Sequence, residues 1–311
     1  MRKINFYAPG LKRYETSELS QKNSHSFVPV SVTGSDCALN CDHCNGELLK
    51  FMRPAKTPER LLQICQNLAK NSTKGILISG GCDSTGRVPF REFFDSMRMV
   101  KQILGLNVIV HTGIVDRETA DGLKYAGIDG ALIDIIGSDM TIKKVYHLEA
   151  TVFDYEQSLA NLNACEIPVV PHIVIGLHYG KIIGEENALA IISRFKIKTL
   201  VLVILTPLLN TGMENVTPPS LEEVKDFFQK ARNRLPETQI ILGCARPMGE
   251  YKEQIDKLAI DTGINGIAFP AEGIASYAKD KGLKPVFIET CCGLPLTPSL
   301  PLKGGGEGGG D

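Results

Sequence analysis

The sequence predicts an α/β fold of the (β/α)8 TIM-barrel type, and three observations predict it. Eight short apolar runs rich in β-branched residues recur along the chain. They are nearly continuous rather than alternating, as strands covered on both faces are. Amphipathic stretches of helical length separate them, which is the pattern of a parallel sheet wrapped by helices. A partial barrel would satisfy the same pattern, so closure stays open at this point.

In chain order, the strand runs fall at residues 27–33, 75–79, 106–111, 130–135, 169–175, 199–205, 239–244 and 263–269. The first helix starts at Thr57-Pro58-Glu59-Arg60, where Thr57 can cap and Pro58 suits the first helical position. Further helical patterns follow at 88–104, 116–126, 154–164, 184–195, 220–235, 250–261 and 272–280. Residues 1–26 are polar and charged and read as an N-terminal extension, with the barrel domain over 27–294. Residues 295–311 are rich in Pro, then Gly. They cannot bury enough apolar surface to order themselves and read as a disordered tail.

Composition narrows the function classes. The 34 basic and 35 acidic residues nearly cancel, giving no electrostatic reason for a nucleic-acid or anionic-membrane partner. No run of about 18 apolar residues exists to cross a membrane. The first 26 residues hold no apolar stretch of signal-peptide type. Nine cysteines in 311 residues fall far short of a disulfide scaffold. A reducing cytoplasm is the expected location.

The most informative stretch is Ser35-Asp-Cys37-Ala-Leu-Asn-Cys41-Asp-His43-Cys44-Asn-Gly46, with C-x3-C-x2-C spacing just after the first strand run. Three thiolates this close can wrap one iron–sulfur cluster. A four-iron cluster so held keeps one iron without a protein ligand, and an open coordination position is where chemistry occurs. Zinc is the main alternative. It would need a fourth ligand, yet His43 lies between two of the cysteines and no second pair follows at finger spacing.

Other positions carry weaker signals. Ser79-Gly80-Gly81-Cys82-Asp83-Ser84 follows the second strand; its glycines either let backbone approach a ligand or make an ordinary tight turn. Asp134 ends the fourth strand, where it could bind a ligand hydroxyl or cap the next helix. His172 and His178 read more readily as packed or solvated histidines than as catalytic ones. Cys65 and Cys165 lie in helical patterns and are expected to pack as small apolar residues. Cys82 and Cys244 sit at strand ends facing the barrel mouth. With the adjacent pair Cys291–Cys292 they are candidate ligands of a second iron–sulfur cluster, the alternative being buried thiols. Arg246 could hold a substrate carboxylate or a cluster, or form a salt bridge at a helix start.

The cysteine trio resembles that of the radical S-adenosylmethionine (SAM) superfamily. The resemblance implies a [4Fe-4S] cluster on Cys37, Cys41 and Cys44, with SAM on the open iron and cleavage to a 5′-deoxyadenosyl radical. It places His43 where the family usually has an aromatic residue against adenine. Gly80 and Gly81 fall on the Gly-Gly-Glu motif that holds the methionine amino group, with Cys82 where Glu is common. Asp134 would meet ribose or substrate, and Gly176 would let its strand approach adenine.

Within that superfamily, residues 33–46, 79–84 and 242–247 with Cys291–Cys292 are together similar to biotin-synthase-like proteins that form one half of a two-protein lipoyl synthase. This implies sulfur insertion at a C–H bond of an octanoyl chain carried on a lipoyl-carrier protein. The implied partners are a second radical SAM subunit and a reductant such as ferredoxin or flavodoxin. Ordinary lipoyl synthases carry a further N-terminal cysteine motif, whereas the first 36 residues here contain no cysteine. Two alternatives remain: another radical SAM reaction in cofactor biosynthesis, or a non-catalytic iron–sulfur or zinc protein.

Overall fold

A computed structural model describes residues 2–10 and 13–295. All eight expected strands form: β2 (Phe27–Ser31), β4 (Gly75–Ser79), β5 (Asn107–Thr112), β6 (Gly130–Asp134), β7 (Val169–Ile175), β8 (Thr199–Ile204), β9 (Gln239–Leu242) and β10 (Gly266–Ala268). Three more join them, β1 (Lys3–Tyr7), the two-residue β3 (Arg53–Pro54) and β11 (Lys284–Ile288). The sheet is parallel throughout, in the order β11-β1-β10-β9-β8-β7-β6-β5-β4-β2-β3.

One expectation is corrected here. Residues 1–26 are not an extension outside the barrel, because β1 pairs with β10 on one side and β11 on the other. The barrel, whose closure the sequence left open, is partial: no ladder joins β11 to β2. Loops bridge that seam instead. The Gly10 amide donates to the Phe27 carbonyl at 2.9 Å, and the Ser26 hydroxyl donates to the Glu289 carbonyl.

The helices lie where the periodicity predicts them, as α1 (Pro58–Ala69), α2 (Phe94–Gln102), α3 (Arg117–Ala126), α5 (Val152–Ala164), α6 (Glu185–Ile192), α7 (Leu221–Arg234), α8 (Glu250–Asp261) and α9 (Ile274–Asp280). A short helix, α4 (Asp139–Val145), was not expected. Thr57 accepts from the Arg60 amide at 3.2 Å, capping α1 as its sequence predicts. Ser220 and Glu223 cap α7 reciprocally, satisfying amides that have no partner within the helix.

Alternation along the strands divides the core in two. Val28, Val30, Ile76, Ile78, Leu200 and Leu202 face outward onto the helices, where Cys65 and Cys165 also pack. Tyr7, Phe27, Ile109, Leu132, Val170, Val201, Ile241 and Ala268 face inward and fill the lumen. The segment after β11 closes the floor, with Gly293 packed against Leu132 and Pro295 against Gly130 at the start of β6. Residues 296–311, almost all of the tail expected to be disordered, lie outside the described residues. Among the described residues, no helix is long and apolar enough to cross a membrane.

Candidate active site

The cysteine coil leaves the C-terminal end of β2, and its shape is written in its sequence. Asn40, Asn45 and Gly46 take positive φ angles of 48°, 42° and 72°, a region that Asn and Gly adopt most readily. These left-handed residues reverse the chain twice, so Cys37, Cys41 and Cys44 pack in one cluster at the barrel mouth. The coil is stitched to the loop after β4. The Gly81 amide donates to Thr33 Oγ1 at 2.7 Å, and the Ala38 amide donates to the Cys82 carbonyl at 2.8 Å.

The far side of the coil hangs on Asp42, which sequence reasoning passed over. Its carboxylate meets His147 Nε2 at 2.9 Å and accepts from the Tyr179 hydroxyl. Its backbone amide donates to the Val145 carbonyl at 2.9 Å, and its carbonyl accepts from the Met213 amide at 3.1 Å. Burial alone would raise the Asp42 pKa, but Tyr179 and His147 outweigh it and hold the carboxyl below the usual range.

The thiols are electrostatically unequal. A hydrogen bond from Cys41 pulls Cys44 down to about 4 against its burial, and His43 adds to the effect. Cys41, the donor, is pushed up correspondingly. Within the trio it is Cys44 that is drawn toward the thiolate, the form in which cysteine ligates metal. Cys82 is pushed up to about 12, by burial first and then by the charge of Cys37.

Two buried polar atoms beside the trio lack any hydrogen-bond partner among the described residues, His43 Nδ1 and the Tyr146 hydroxyl. Their rings lie 5.1 Å apart, centroid to centroid. Buried polar groups are seldom left unsatisfied without a functional reason, so the mouth presents three thiols and two waiting polar atoms.

The sequence profile described as the Radical SAM superfamily matches residues 31–192, more than half of the chain. The chain belongs to the radical SAM superfamily. Solved structures agree in fold. The HydG maturase of the [FeFe]-hydrogenase from Carboxydothermus hydrogenoformans superposes with a TM-score of 0.60 at 16% identity, over 94% of this chain and 69% of that one. Methylornithine synthase (PylB) gives 0.58 at 15% identity, over 91% and 84%. SuiB of Streptococcus suis bound to S-adenosylmethionine gives 0.53 at 12% identity, over 72% and 50%. At these identities the likeness concerns the fold alone. No curated protein matches the chain in sequence.

Membership in the radical SAM superfamily implies a [4Fe-4S] cluster and SAM. The residues present fit both. Cys37, Cys41 and Cys44 would hold the cluster, while His43 Nδ1 and the Tyr146 hydroxyl offer unsatisfied atoms to a polar ligand beside it.

The remaining candidates divide. Gly81 has a packing reason to be glycine, since a Cβ there would lie 2.0 Å from the Asp36 carbonyl oxygen. Gly80 is less crowded, with Thr33 and Val32 at 3.1–3.2 Å. Gly176 has φ of 80° with Pro219 packed 2.2 Å from the Cβ position, and its amide donates to the buried Glu185 carboxylate at 2.8 Å. Asp134 does not cap α4; Ser138 does, accepting from the Thr141 amide at 3.3 Å. His178 is packed, as its sequence context predicts, with Nδ1 3.0 Å from Thr141 Oγ1.

The four extra cysteines separate into two places. Cys82 packs with the trio. Cys291 and Cys292 are buried in the lumen, and Cys244 acts on Cys292 as a neighbouring charge. A second cluster built on all four together is not the arrangement found.

Arg246 is corrected outright. Its guanidinium is buried and bonds Asp256 at 2.7 and 3.1 Å, the Gly243 carbonyl at 2.7 Å and the Phe269 carbonyl at 3.0 Å. With four of its five N–H donors engaged and the side chain fully buried, the fork holds the loop after β9 to α8 rather than facing a substrate.

Proposed function

We propose that the chain inserts sulfur into an unactivated C–H bond of an octanoyl chain borne on a lipoyl-carrier protein, working beside a second radical SAM subunit. When bound and reduced, the cluster with SAM supplies a 5′-deoxyadenosyl radical able to take hydrogen from aliphatic carbon. The protein supplies position and exclusion of water. The Cys37–Cys41–Cys44 coil would fix the cluster, His43 and Tyr146 would orient the nucleotide, and the apolar wall of Ile114, Ile136, Leu148 and Leu177 at the mouth suits a hydrocarbon chain.

One observation carries the sulfur reading. Cys291 and Cys292 are buried in the lumen among inward-facing residues of every strand but β3, and Cys244 lies near Cys292. Two adjacent thiols buried in the barrel, with Cys244 exposed just past β9, suit a second iron–sulfur cluster as sulfur source, a role that burial of ordinary apolar side chains would not require.

The test is an anaerobic reaction of reconstituted protein with SAM, a strong reductant and octanoyl-lysyl carrier peptide, read by mass. The expected result is 5′-deoxyadenosine together with a peptide heavier by one sulfur. Cys291→Ser and Cys292→Ser should abolish the sulfur increment and leave SAM cleavage intact. Release of 5′-deoxyadenosine with a sulfur-free product would move the chain to another radical SAM reaction.

A further inference from the structure

Three inward-pointing side chains on consecutive strands form a cluster of their own, one of them the Asp134 that the family resemblance sets toward ribose or substrate. They are His111 on β5, Asp134 on β6 and His172 on β7. Asp134 and His172 are register partners in adjacent strands. One donor atom from each of the three lies within 4.8 Å of the others, and no other set of His, Cys, Asp or Glu among the described residues converges this way.

The contacts inside this cluster are not hydrogen bonds. His111 Nε2 stands 3.7 Å from Asp134 Oδ1, beyond hydrogen-bonding range. The two imidazoles meet edge to face at 5.3 Å between centroids. Neither the Asp134 carboxylate nor the His111 ring has a hydrogen-bond partner among the described residues. His172 is fixed differently. Its Nδ1 lies 3.0 Å from the Val170 carbonyl. A carbonyl only accepts, so Nδ1 carries the proton and Nε2 keeps its lone pair. Metal-bound histidines are held in this way, by a second-shell acceptor on the other ring nitrogen.

We propose that His111, Asp134 and His172 form a metal site in the barrel lumen that binds one divalent transition-metal ion. Two imidazoles and one carboxylate suit zinc or ferrous iron, with positions left for water or substrate. A point between donors at most 4.8 Å apart lies roughly 2.8 Å from each. A small inward movement brings that to the about 2.0–2.1 Å of a zinc–nitrogen bond. The proposal goes beyond the sulfur-insertion reading and depends on neither its substrate nor its second cluster.

Zinc is the probe. Cluster-reconstituted protein is equilibrated anaerobically with zinc and desalted; metals are then counted, and the zinc-edge X-ray absorption is recorded. The expected result is about one zinc per chain with a nitrogen and oxygen first shell at about 2.0–2.1 Å. His111→Ala and Asp134→Asn should lower zinc affinity at least about tenfold while the iron content stays at the parent value. His111 is part-exposed, so its truncation should spare the fold, and matching circular dichroism checks this. Asp134→Asn keeps the shape and serves as the second variant. Sulfur at about 2.3 Å in the zinc shell, zinc lost from Cys291→Ser rather than from His111→Ala, or no retained zinc would each overturn the proposal.

Discussion

The Cβ of Cys37 lies 2.6 Å from where a side chain on Gly81 would begin, so the loops after β2 and β4 meet through bare backbone. The first cysteine of the trio is seated by a residue that has no side chain.

Gly81→Ala should therefore displace Cys37. Overpacking of this kind costs about 1–3 kcal/mol, which a domain of this size tolerates, so circular dichroism should match the parent. Iron retained after anaerobic reconstitution should fall several-fold. Unchanged iron and undiminished SAM cleavage would show that the two loops can part without cost.

The inequality of the thiols is testable in the metal-free protein. Cys44, pulled down to about 4, remains a thiolate until the pH falls through that value. Cys82, near 12, stays protonated at neutrality. A brief pulse of iodoacetamide near neutral pH, mapped by peptide mass, should label Cys44 well before Cys82. Loading the cluster should abolish the Cys44 label. Preferential labelling of Cys82 would contradict the charge distribution described here.

Arg246 should behave as a structural residue. Arg246→Ala leaves the buried Asp256 carboxylate with Lys252 Nζ, at 3.2 Å, as its remaining cation, which should cost about 3 kcal/mol, the low end for a broken buried pair. Arg246→Ala should lose that much in denaturant unfolding, and Arg246→Lys should recover only part of it, because a single ammonium cannot reproduce the fork. Under conditions where the variants remain folded, SAM affinity should match the parent; a selective loss of SAM or substrate binding would restore Arg246 to the site.

Glu18 ties the N-terminal segment to α9, accepting from the Ala275 and Ser276 amides at 3.0 and 2.7 Å. Burial would raise its pKa, but these hydrogen bonds outweigh it and the carboxyl is held below its ordinary 4.5. A depressed carboxylate stabilises the fold above its unfolded pKa, and that contribution is lost as the pH falls through the folded value. Unfolding free energies from urea titrations at about pH 7 and about pH 3 should differ more for the parent than for Glu18→Gln, by about 0.3–1 kcal/mol. Equal pH dependence would remove Glu18 from the account.

Most of the fold was legible because parallel strands covered on both faces must be apolar at nearly every position. The two long strands missed, β1 and β11, fail that rule. Lys3 and Asn5 interrupt β1, Lys284 and Pro285 open β11, and β11 is only partly buried. They read as polar connecting chain until the sheet is seen to need them. The cysteine trio was legible because its ligands are neighbours in sequence. Arg246 was not, because its partner Asp256 lies in the next helix and spacing alone leaves both roles open. His111 gave no signal. A histidine late in an apolar strand looks packed, and only the register that sets Asp134 beside His172, one strand over, turns it toward two other donors.

The placement of β1 sets an order of events. Asn5 pairs with Gly266 and with Val286, so β1 waits for roughly 260 further residues before it has neighbours, a long-range closure of the slow kind. The cysteine coil leaves the ribosome early, into an unfinished half-pipe whose floor is not yet laid. Iron delivered at that stage would reach thiols still open to air and water from below, so safe loading belongs after the last two strands have locked the first between them.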